Sequence, residues 1–201
     1  MKILKEKEYI KTDFSDKDFR LWKIDSCIFE ECSFSFTDFT EANIFNCKFN
    51  KCIFTNTKFN AGTIEKSQFN NSDFRGSDLF LCKIASSRFI GSNFAMANLA
   101  GITVKECDFS YANFRFQKFD NINLYGSKFH NANFERASFK KCDLRNTDIS
   151  RCDLSFADFT SADIRGANIT DSNITETIIK KLRMDVSQTV YYAMFHGAKV
   201  E

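Results

Sequence analysis

Proline is absent from this chain of 201 residues, and glycine and histidine are scarce, with seven and two residues. This scarcity leaves no visible linker, which favours a single domain, and it excludes a glycine-rich phosphate-binding loop. No apolar run approaches the roughly 18 residues of a membrane-spanning helix, so we expect no membrane partner. The start, Met1–Glu6, has no apolar signal-peptide core, which predicts a cytoplasmic protein.

What the chain has instead is a five-residue period. Every fifth residue from Phe14 to Ile174 is Phe, Ile, Leu or Val, through 33 consecutive positions. A strand alternates with period two and a helix with a period of about 3.6, so a period of five requires a corner in every unit. A repeat this strict is typical of a solenoid, in which each unit packs on its neighbours.

The other positions of the unit predict how it is oriented. Two residues before each large apolar residue the chain is mostly small, and one residue before it Asp or Asn recurs. The large residue should fill an interior, the small one should leave room beside it, and the Asp or Asn should form the corner. Every fourth apolar position from Ile24 to Ile164 lacks Phe, although 19 of the 33 positions are Phe. Twenty residues therefore make one four-sided coil, and about eight coils stack at about 4.8 Å into a rod.

The eight cysteines all occupy the small inward position. Their spacing in multiples of five differs from the close pairs of a zinc site, and free cysteine behaves as a small buried hydrophobe. Cys27 and Cys47 should lie one coil apart, so a disulfide is geometrically conceivable, but the pattern favours packing. We expect no metal or other cofactor. His130 lies at an outward position, His196 lies in the tail, and no nucleophile motif is present, so we expect no enzyme.

Function should therefore reside in the outward side chains. The first face, formed by residues 12–16 and their repeats every 20 residues, has a net charge of −3, which is a mild acidic bias. Its candidate partner-binding acids are Asp13, Asp16, Asp73, Glu135 and Asp153. No basic stripe is present that could neutralise phosphates, so we expect no direct binding of nucleic acid.

Apolar side chains at outward positions are the second candidate surface. The outward positions between residues 76 and 101 lack charge. Their large apolar members, termed here the mid-rod belt, are Phe80, Leu81, Ile90 and Met96. Three further outward aromatic residues share the first face: Phe36, Phe116 and Phe156. Because exposed aromatic residues and methionine mark interaction sites, both sets are candidate partner surfaces.

The tail departs from the repeat. Asp185 or Ser187 can cap a short helix, and four apolar residues then share one helical face: Val190, Tyr191, Met194 and Phe195. An open solenoid end must be covered, but this helix has more apolar surface than a lid requires. We predict a two-fold dimer through it, with a monomeric cap as the alternative. The predicted organisation is an N-terminal cap at 1–11, the repeat at 12–176, and a capping and dimerisation segment at 177–201.

The coil resembles the pentapeptide repeat family, which implies an all-β, right-handed quadrilateral β-helix over about four-fifths of the chain. The ending is similar to that of the Qnr-type quinolone-resistance members. In it, Ala162–Gly166 leads to Asp185–Gln188 and then to Phe195–Val200. This resemblance implies a rod-shaped homodimer that binds DNA gyrase or topoisomerase IV, resembles duplex DNA, and protects the enzyme from quinolones. The dimer contacts implied by the resemblance are Val186, Val190, Tyr191, Met194 and Phe195.

Two features depart from the Qnr pattern. The formal net charge is +2, whereas DNA-mimicking members are usually strongly acidic, and imitation of a duplex needs a sustained negative field. The repeat register is uninterrupted, so the loops that many Qnr members carry are absent. We therefore hold two hypotheses: a topoisomerase-binding resistance or immunity protein, and a general protein-interaction scaffold that uses the mid-rod belt.

Overall fold

The computed structural model describes residues 2–201 as short strands that pair in parallel with strands 20 residues away. The elements are β1 Ile3–Lys5, β2 Glu8–Ile10, β3 Lys23–Asp25, β4 Ile28–Glu30, β5 Asn43–Phe45, β6 Lys48–Asn50, β7 Thr63–Glu65, β8 Gln68–Asn70, β9 Lys83–Ala85, β10 Thr103–Lys105 and the helix α1 Val186–Phe195. One parallel sheet has the order β1-β3-β5-β7-β9-β10, and a second has the order β2-β4-β6-β8. Isolated bridges between residues 20 apart continue the pairing around the remaining coils. The 20-residue coil and the β-solenoid with a C-terminal helix are confirmed.

The pairing also involves residues on both sides of the 12–176 segment. β1 pairs with β3 through Leu4 and Ile24, and β2 pairs with β4 through Tyr9 and Phe29. At the other end, Arg183 bridges Asp163 in the preceding coil. Residues 3–10 are therefore built like the coils that follow them.

Each corner is made by a residue with a left-handed backbone. The second residue after each central apolar residue has a φ between 47° and 73°. At the Asp16 corner the turn closes when the N–H of Lys17 donates to the carbonyl of Phe14 at 3.2 Å, as in a type II turn. The prediction that Asp or Asn forms the corner is wrong, because Asp13 lies in a bridge to Ser33. Its carboxylate accepts the N–H of Ser15 at 2.8 Å and so supports the turn from outside.

Large apolar side chains fill the interior as stacks that run along the rod. Phe54, Phe74 and Phe94 occupy equivalent places in successive coils, with ring centroids 4.9 and 4.8 Å apart. Phe74 also meets Phe89 of the neighbouring stack edge-on at 5.7 Å. Aromatic pairs of this kind add about 0.5–1.5 kcal/mol each beyond area burial. They help to offset the left-handed corners, which cost roughly 1–2 kcal/mol for each non-glycine residue.

The eight cysteines are free and buried, as the repeat predicted. The Cys27 backbone N–H donates to the Cys47 sulfur at 3.4 Å, so the thiol serves as an acceptor between coils. Burial raises the pKa of four of these thiols to about 12: Cys47, Cys52, Cys82 and Cys152. Thiols held protonated in this way are poor nucleophiles and poor metal ligands.

We expect the free energy of unfolding to fall as the pH rises above the ordinary thiol pKa of 9.0. In the folded chain the Cys82 thiol keeps its proton up to about pH 12, whereas in the unfolded chain it ionises near 9. The stabilisation is therefore complete below pH 9 and decreases by about 1.4 kcal/mol per pH unit per thiol above it. Urea denaturation of the protein and of Cys82→Ala across this range measures the slope. A slope that does not become shallower in the variant contradicts the assignment.

Candidate protein-binding faces

The acidic residues of the first face form a dispersed column rather than a cluster. Asp13, Asp73 and Asp153 occupy equivalent positions, but they are 60 and 80 residues apart, which is three and four coils. At one strand spacing per coil these separations are about 14 and 19 Å. Asp16 is exposed at a corner near Asp13. The structure therefore brings Asp13 close to Asp16 and places Glu135 and Asp153 in adjoining coils, while Asp73 lies apart from both pairs.

Most of these carboxylates are engaged by neighbouring donors. Asp73 pairs with Arg75 at 2.6 Å, and Glu135 pairs with Arg115 at 2.7 Å. Asp153 accepts a hydrogen bond from the hydroxyl of the serine two residues later at 2.7 Å. A carboxylate paired with a guanidinium contributes little net field at a distance. The first face therefore lacks the sustained negative potential that imitation of a duplex requires.

Apolar side chains stand out more clearly on the same face. A line of corner residues in successive coils, termed here the corner column, consists of Met96, Phe116, Arg136 and Phe156. The Arg136 guanidinium lies 6.0 Å from the ring centre of Phe116 and 5.1 Å from that of Phe156. Met96 is 87% exposed and Phe116 is 60% exposed, and Phe36 is similarly exposed farther up the same corner.

These corner residues serve neither the core nor the turn. Their side chains point to solvent, and a left-handed corner is more easily adopted by glycine or asparagine than by Phe. Aromatic rings flanked by guanidinium groups are typical of the central residues of protein interfaces. The arrangement is chemically suited to recognition of another protein surface.

The mid-rod belt is less uniform than its sequence suggested. Phe80 and Leu81 are exposed at the corner that ends the unit of residues 77–81, on the face after the first. Met96 belongs to the corner column. Ile90 is only half-buried and lies at a different corner. The belt therefore presents Phe80, Leu81 and Met96 to a partner more fully than it presents Ile90.

Two exposed tyrosines were not singled out from the sequence. Tyr111 lies beside His130, with 5.9 Å between ring centres, and Tyr125 lies under the guanidinium of Arg145 at 5.7 Å. Both are aromatic residues at outward positions of the unit, which is the signal that identified Phe36. Applying that signal to every unit would have found them.

Two shallow grooves lie beside these residues. The first, of about 570 Å³, is lined by Met96, Arg115, Phe116, Gln117 and Lys118 among others, and no acidic residue lines it. The second, of about 700 Å³, lies on the neighbouring face, with Tyr125 at its edge. So regular a repeat does not predict grooves of this kind.

One contact brings a histidine, a serine and an aspartate together. His130 Nδ1 lies 2.8 Å from the Ser150 hydroxyl, which donates to Asp148 at 2.6 Å. The order is wrong for nucleophilic catalysis, where the histidine must take the serine proton and the aspartate must orient the histidine. The same serine–aspartate bond recurs at Ser155, so it is a feature of the turn. Within residues 2–201, no group of three His, Cys, Asp or Glu side chains is placed to hold a metal ion.

The helix α1 closes the last coil through Gln188. Its side-chain amide donates to the carbonyls of Ile164 and Ala167, each at 2.7 Å, and its oxygen accepts the N–H of Asp185. These carbonyls lie at the open edge of the solenoid, where no further coil can supply donors. Gln188 is 4% exposed, and its side-chain amide supplies the hydrogen-bond donors that a further coil would otherwise supply at this edge.

The predicted dimer residues on α1 divide into two groups. Tyr191 packs on the solenoid, and its hydroxyl donates to the carbonyl of Ser172 at 3.0 Å, while Val190 is half-buried. Val186, Met194 and Phe195 are exposed, and Val186 is 82% exposed. Among residues 2–201, no helix is long and apolar enough to cross a membrane.

Comparison with known proteins agrees with this geometry. The family model "Pentapeptide repeats (8 copies)" matches residues 25–56 and 37–76, and "Pentapeptide repeat region" matches residues 112–188. No curated protein sequence matches the chain. Residues 112–188 run from the second half of the repeat into the first residues of α1, so the matched regions include both the repeat and the start of the C-terminal helix.

Solved structures share the fold over nearly the whole chain. A trypsin-treated form of QnrB1, a plasmid-mediated fluoroquinolone resistance protein, superposes with a TM-score of 0.87 at 21% identity and covers 99% of each chain. Full-length QnrB1 has a TM-score of 0.79 at 21% identity, covering 95% of this chain and 100% of that one. HetL, a protein of the cyanobacterium Nostoc involved in regulating heterocyst differentiation, has a TM-score of 0.71 at 20% identity, covering 90% and 86%.

Proposed function

The chain belongs to the pentapeptide repeat family, and on this premise we propose that it is a non-catalytic rod that binds DNA gyrase or topoisomerase IV in the cytoplasm and protects it from fluoroquinolones. The observation that carries the proposal is the match to QnrB1 over 99% of both chains, which includes the C-terminal helix. Toxin immunity is the same activity against another topoisomerase poison.

The contact surface in this proposal is the first face and its corner column. Because Asp73 and Glu135 are paired with arginines, attraction to a basic enzyme surface is weak, and most affinity comes from burying Phe116 and Phe156. Fully burying a Phe side chain contributes about 1.5–3 kcal/mol. The rod then occupies the DNA-gate saddle or destabilises the drug-trapped complex, and no covalent step is required.

The decisive assay is gyrase supercoiling in the presence of ciprofloxacin, with this protein titrated from nanomolar to tens of micromolar. Restored supercoiling at low concentration supports the proposal. Neither rescue nor inhibition over the whole range removes gyrase as the partner, and the same titration with topoisomerase IV decatenation then tests the second enzyme.

Reversing two acids of the first face is expected to raise the concentration needed for rescue at least about tenfold, which is about 1.4 kcal/mol. The variant is Asp73→Lys with Glu135→Lys, and it leaves Arg75 and Arg115 unpaired next to new positive charge. The control is Glu8→Lys with Glu41→Lys, which changes net charge equally on other faces. Equal loss in both variants would indicate a nonspecific charge effect.

A general interaction scaffold is the second candidate, and the exposure of Phe80, Leu81 and Met96 favours it. Polar substitution of these three residues, Phe80→Ser, Leu81→Ser and Met96→Ser, should abolish binding of a non-topoisomerase partner. If quinolone protection survives these substitutions, the mid-rod belt is not the topoisomerase contact. If wild-type protein gives no protection, the scaffold hypothesis is the one left to test.

The proposed homodimer is formed through the exposed residues of α1. Met194→Lys with Phe195→Lys should shift sedimentation from about twice the 23.2 kDa chain mass to the monomer, because two charges cannot be buried unpaired. Thr189→Lys, an exposed change on the same helix, is the matched control and should stay dimeric. A wild-type protein that sediments as a monomer at micromolar concentration would leave α1 as a cap only.

A further inference from the structure

The coil-to-coil pairing is interrupted at one level of the rod. Asn98 bridges Asp78 in the coil above, and Lys118 bridges Ser138 in the coil below. Asn98 and Lys118 are not bridged to each other. On the next face, Thr103 and Asn123 are likewise not paired with each other. Thr103 pairs with Lys83 in the coil above, and Asn123 bridges Asp143 in the coil below. Each of the four faces has one series of pairs between residues 20 apart, and within residues 2–201 every other successive pair in these series is present.

The backbone hydrogen bonds fail at the same level. Equivalent residues one coil away donate normally, since the Leu79 N–H reaches the Asn98 carbonyl at 2.8 Å and the Phe119 N–H reaches the Ser138 carbonyl at 2.7 Å. Within the described chain, the amides here that donate to no backbone carbonyl of the adjoining coil are those of Met96, Leu99, Gly101, Val104, Glu106, Lys118 and Asn123. The two coils are separated along two adjoining faces.

The cause lies in one column of small inward residues. Apart from the half-buried Trp22 near the start of the rod, the preceding members of this column are small, namely Ala42, Gly62 and Cys82, and a Cβ added to Gly62 would lie 3.1 Å from the carbonyl oxygens of both Ala42 and Phe59. At the interrupted level the column holds Ile102 and Ile122, directly above one another and both buried. Two β-branched side chains at such positions overfill the space that stacked coils allow.

A third oversized residue acts in the neighbouring column. Thr57 donates its hydroxyl to the Phe34 carbonyl at 2.6 Å, and Gln117 makes the equivalent bond to the Phe94 carbonyl with its side-chain amide at 2.6 Å. The glutamine side chain is two bonds longer than that of threonine, so the same hydrogen bond requires a wider separation of the coils. Gln117 therefore wedges the coils apart at the preceding corner, between Asn93 and Asn98.

The remaining two faces stay paired at this level. Asn93 bridges Asn113, and Asp108 bridges both Arg88 and Lys128. A rod that is continuous on two adjoining sides and open on the other two has the mechanical form of a hinge. We propose that this level is a joint at which the two halves of the rod bend toward and away from the open side.

Bending at the joint moves two surfaces already described. Met96 and Phe116, successive members of the corner column, lie on opposite sides of the opening, and both line the 570 Å³ groove. The 700 Å³ groove lies at the same opening on the neighbouring face, lined by Ile102 and Ile122. Closing the joint narrows both grooves and changes the curvature of the rod. The joint does not depend on which partner the rod binds.

Amide hydrogen exchange followed residue by residue tests the joint. The seven unpaired amides should exchange at least about tenfold faster than their equivalents one coil away, such as Leu79 and Phe119, under conditions that keep the rod folded. Equal protection at both levels overturns the proposal, since it would show that the ladder closes in solution.

Cysteine pairs provide an independent measurement that does not depend on core mutations. Asn98→Cys with Lys118→Cys places two thiols across the opening, and Asp78→Cys with Asn98→Cys places them across a bridged pair on the same face. Disulfides need Cα separations of about 4.4–6.8 Å, so the bridged pair should oxidise at least about tenfold faster. Equal rates and yields for the two pairs would mean that no opening exists. A locked 98–118 disulfide should also slow exchange at Leu99 and Gly101 if the joint closes.

Discussion

Phe74→Ala is expected to lower the free energy of unfolding by about 3–5 kcal/mol, because it deletes a ring from the middle of a continuous aromatic stack. Phe74 has no exposed surface and lies between Phe54 and Phe94, with centroids within 5 Å on both sides. The ladder above and below holds the coils at a fixed spacing, so the cavity cannot collapse readily. For a chain of this size the loss corresponds to a decrease in Tm of roughly 6–20 °C.

The matched control for this substitution is Phe36→Ala. Phe36 is the same residue type in the same rod, but it lies at an exposed corner. Its removal should change the free energy of unfolding by no more than about 0.5 kcal/mol. Thermal and urea denaturation followed by circular dichroism measure both variants. Comparable losses for Phe74→Ala and Phe36→Ala would contradict the assignment of Phe74 to the interior stack.

Gln188→Ala is expected to cost about 2–4 kcal/mol, because it removes three hydrogen bonds and leaves the buried carbonyl of Ala167 at the end of the solenoid without a donor. The side chain also accepts the N–H of Asp185, so its loss removes part of the cap of α1. The carbonyl of Ile164 would keep the backbone N–H of Ala167 at 2.8 Å, whereas no later coil supplies a donor to the carbonyl of Ala167. The damage should therefore begin locally, with faster hydrogen exchange in the last coil, before the rod unfolds as a whole.

Thr189→Ala is the control for this second substitution, since Thr189 is exposed on the same helix and bonds only within its first turn. We expect a change of no more than about 0.5 kcal/mol. If the proposed dimer forms through Met194 and Phe195, Gln188→Ala should also weaken it, because α1 would no longer be held in place. A variant that is fully stable, with unchanged exchange in the last coil, would show that the edge carbonyls are satisfied by water.

Much of this protein was determined by its sequence, for a reason that lies in the repeat. A period of five with a superimposed period of 20 leaves one way to place the Phe residues inside, so the coil, the interior stacks and the buried cysteines follow from position alone. The ending was also predictable in kind, because Asp185, Gln188 and Gly197 are residues that begin and end a helix. Each of these inferences uses only contacts within a unit or between equivalent units.

Only the tertiary structure decided how the individual units depart from the average. The pairing of Glu135 with Arg115, 20 residues away, depends on side-chain directions that a pattern of residue types does not contain. The role of the Asp residues beside the corners, the partial burial of Ile90 and the packing of Tyr191 on the last coil depend on the same directions. The joint at Ile102 and Ile122 depends on volume, because two acceptable residues become excessive only when the coils place one directly above the other.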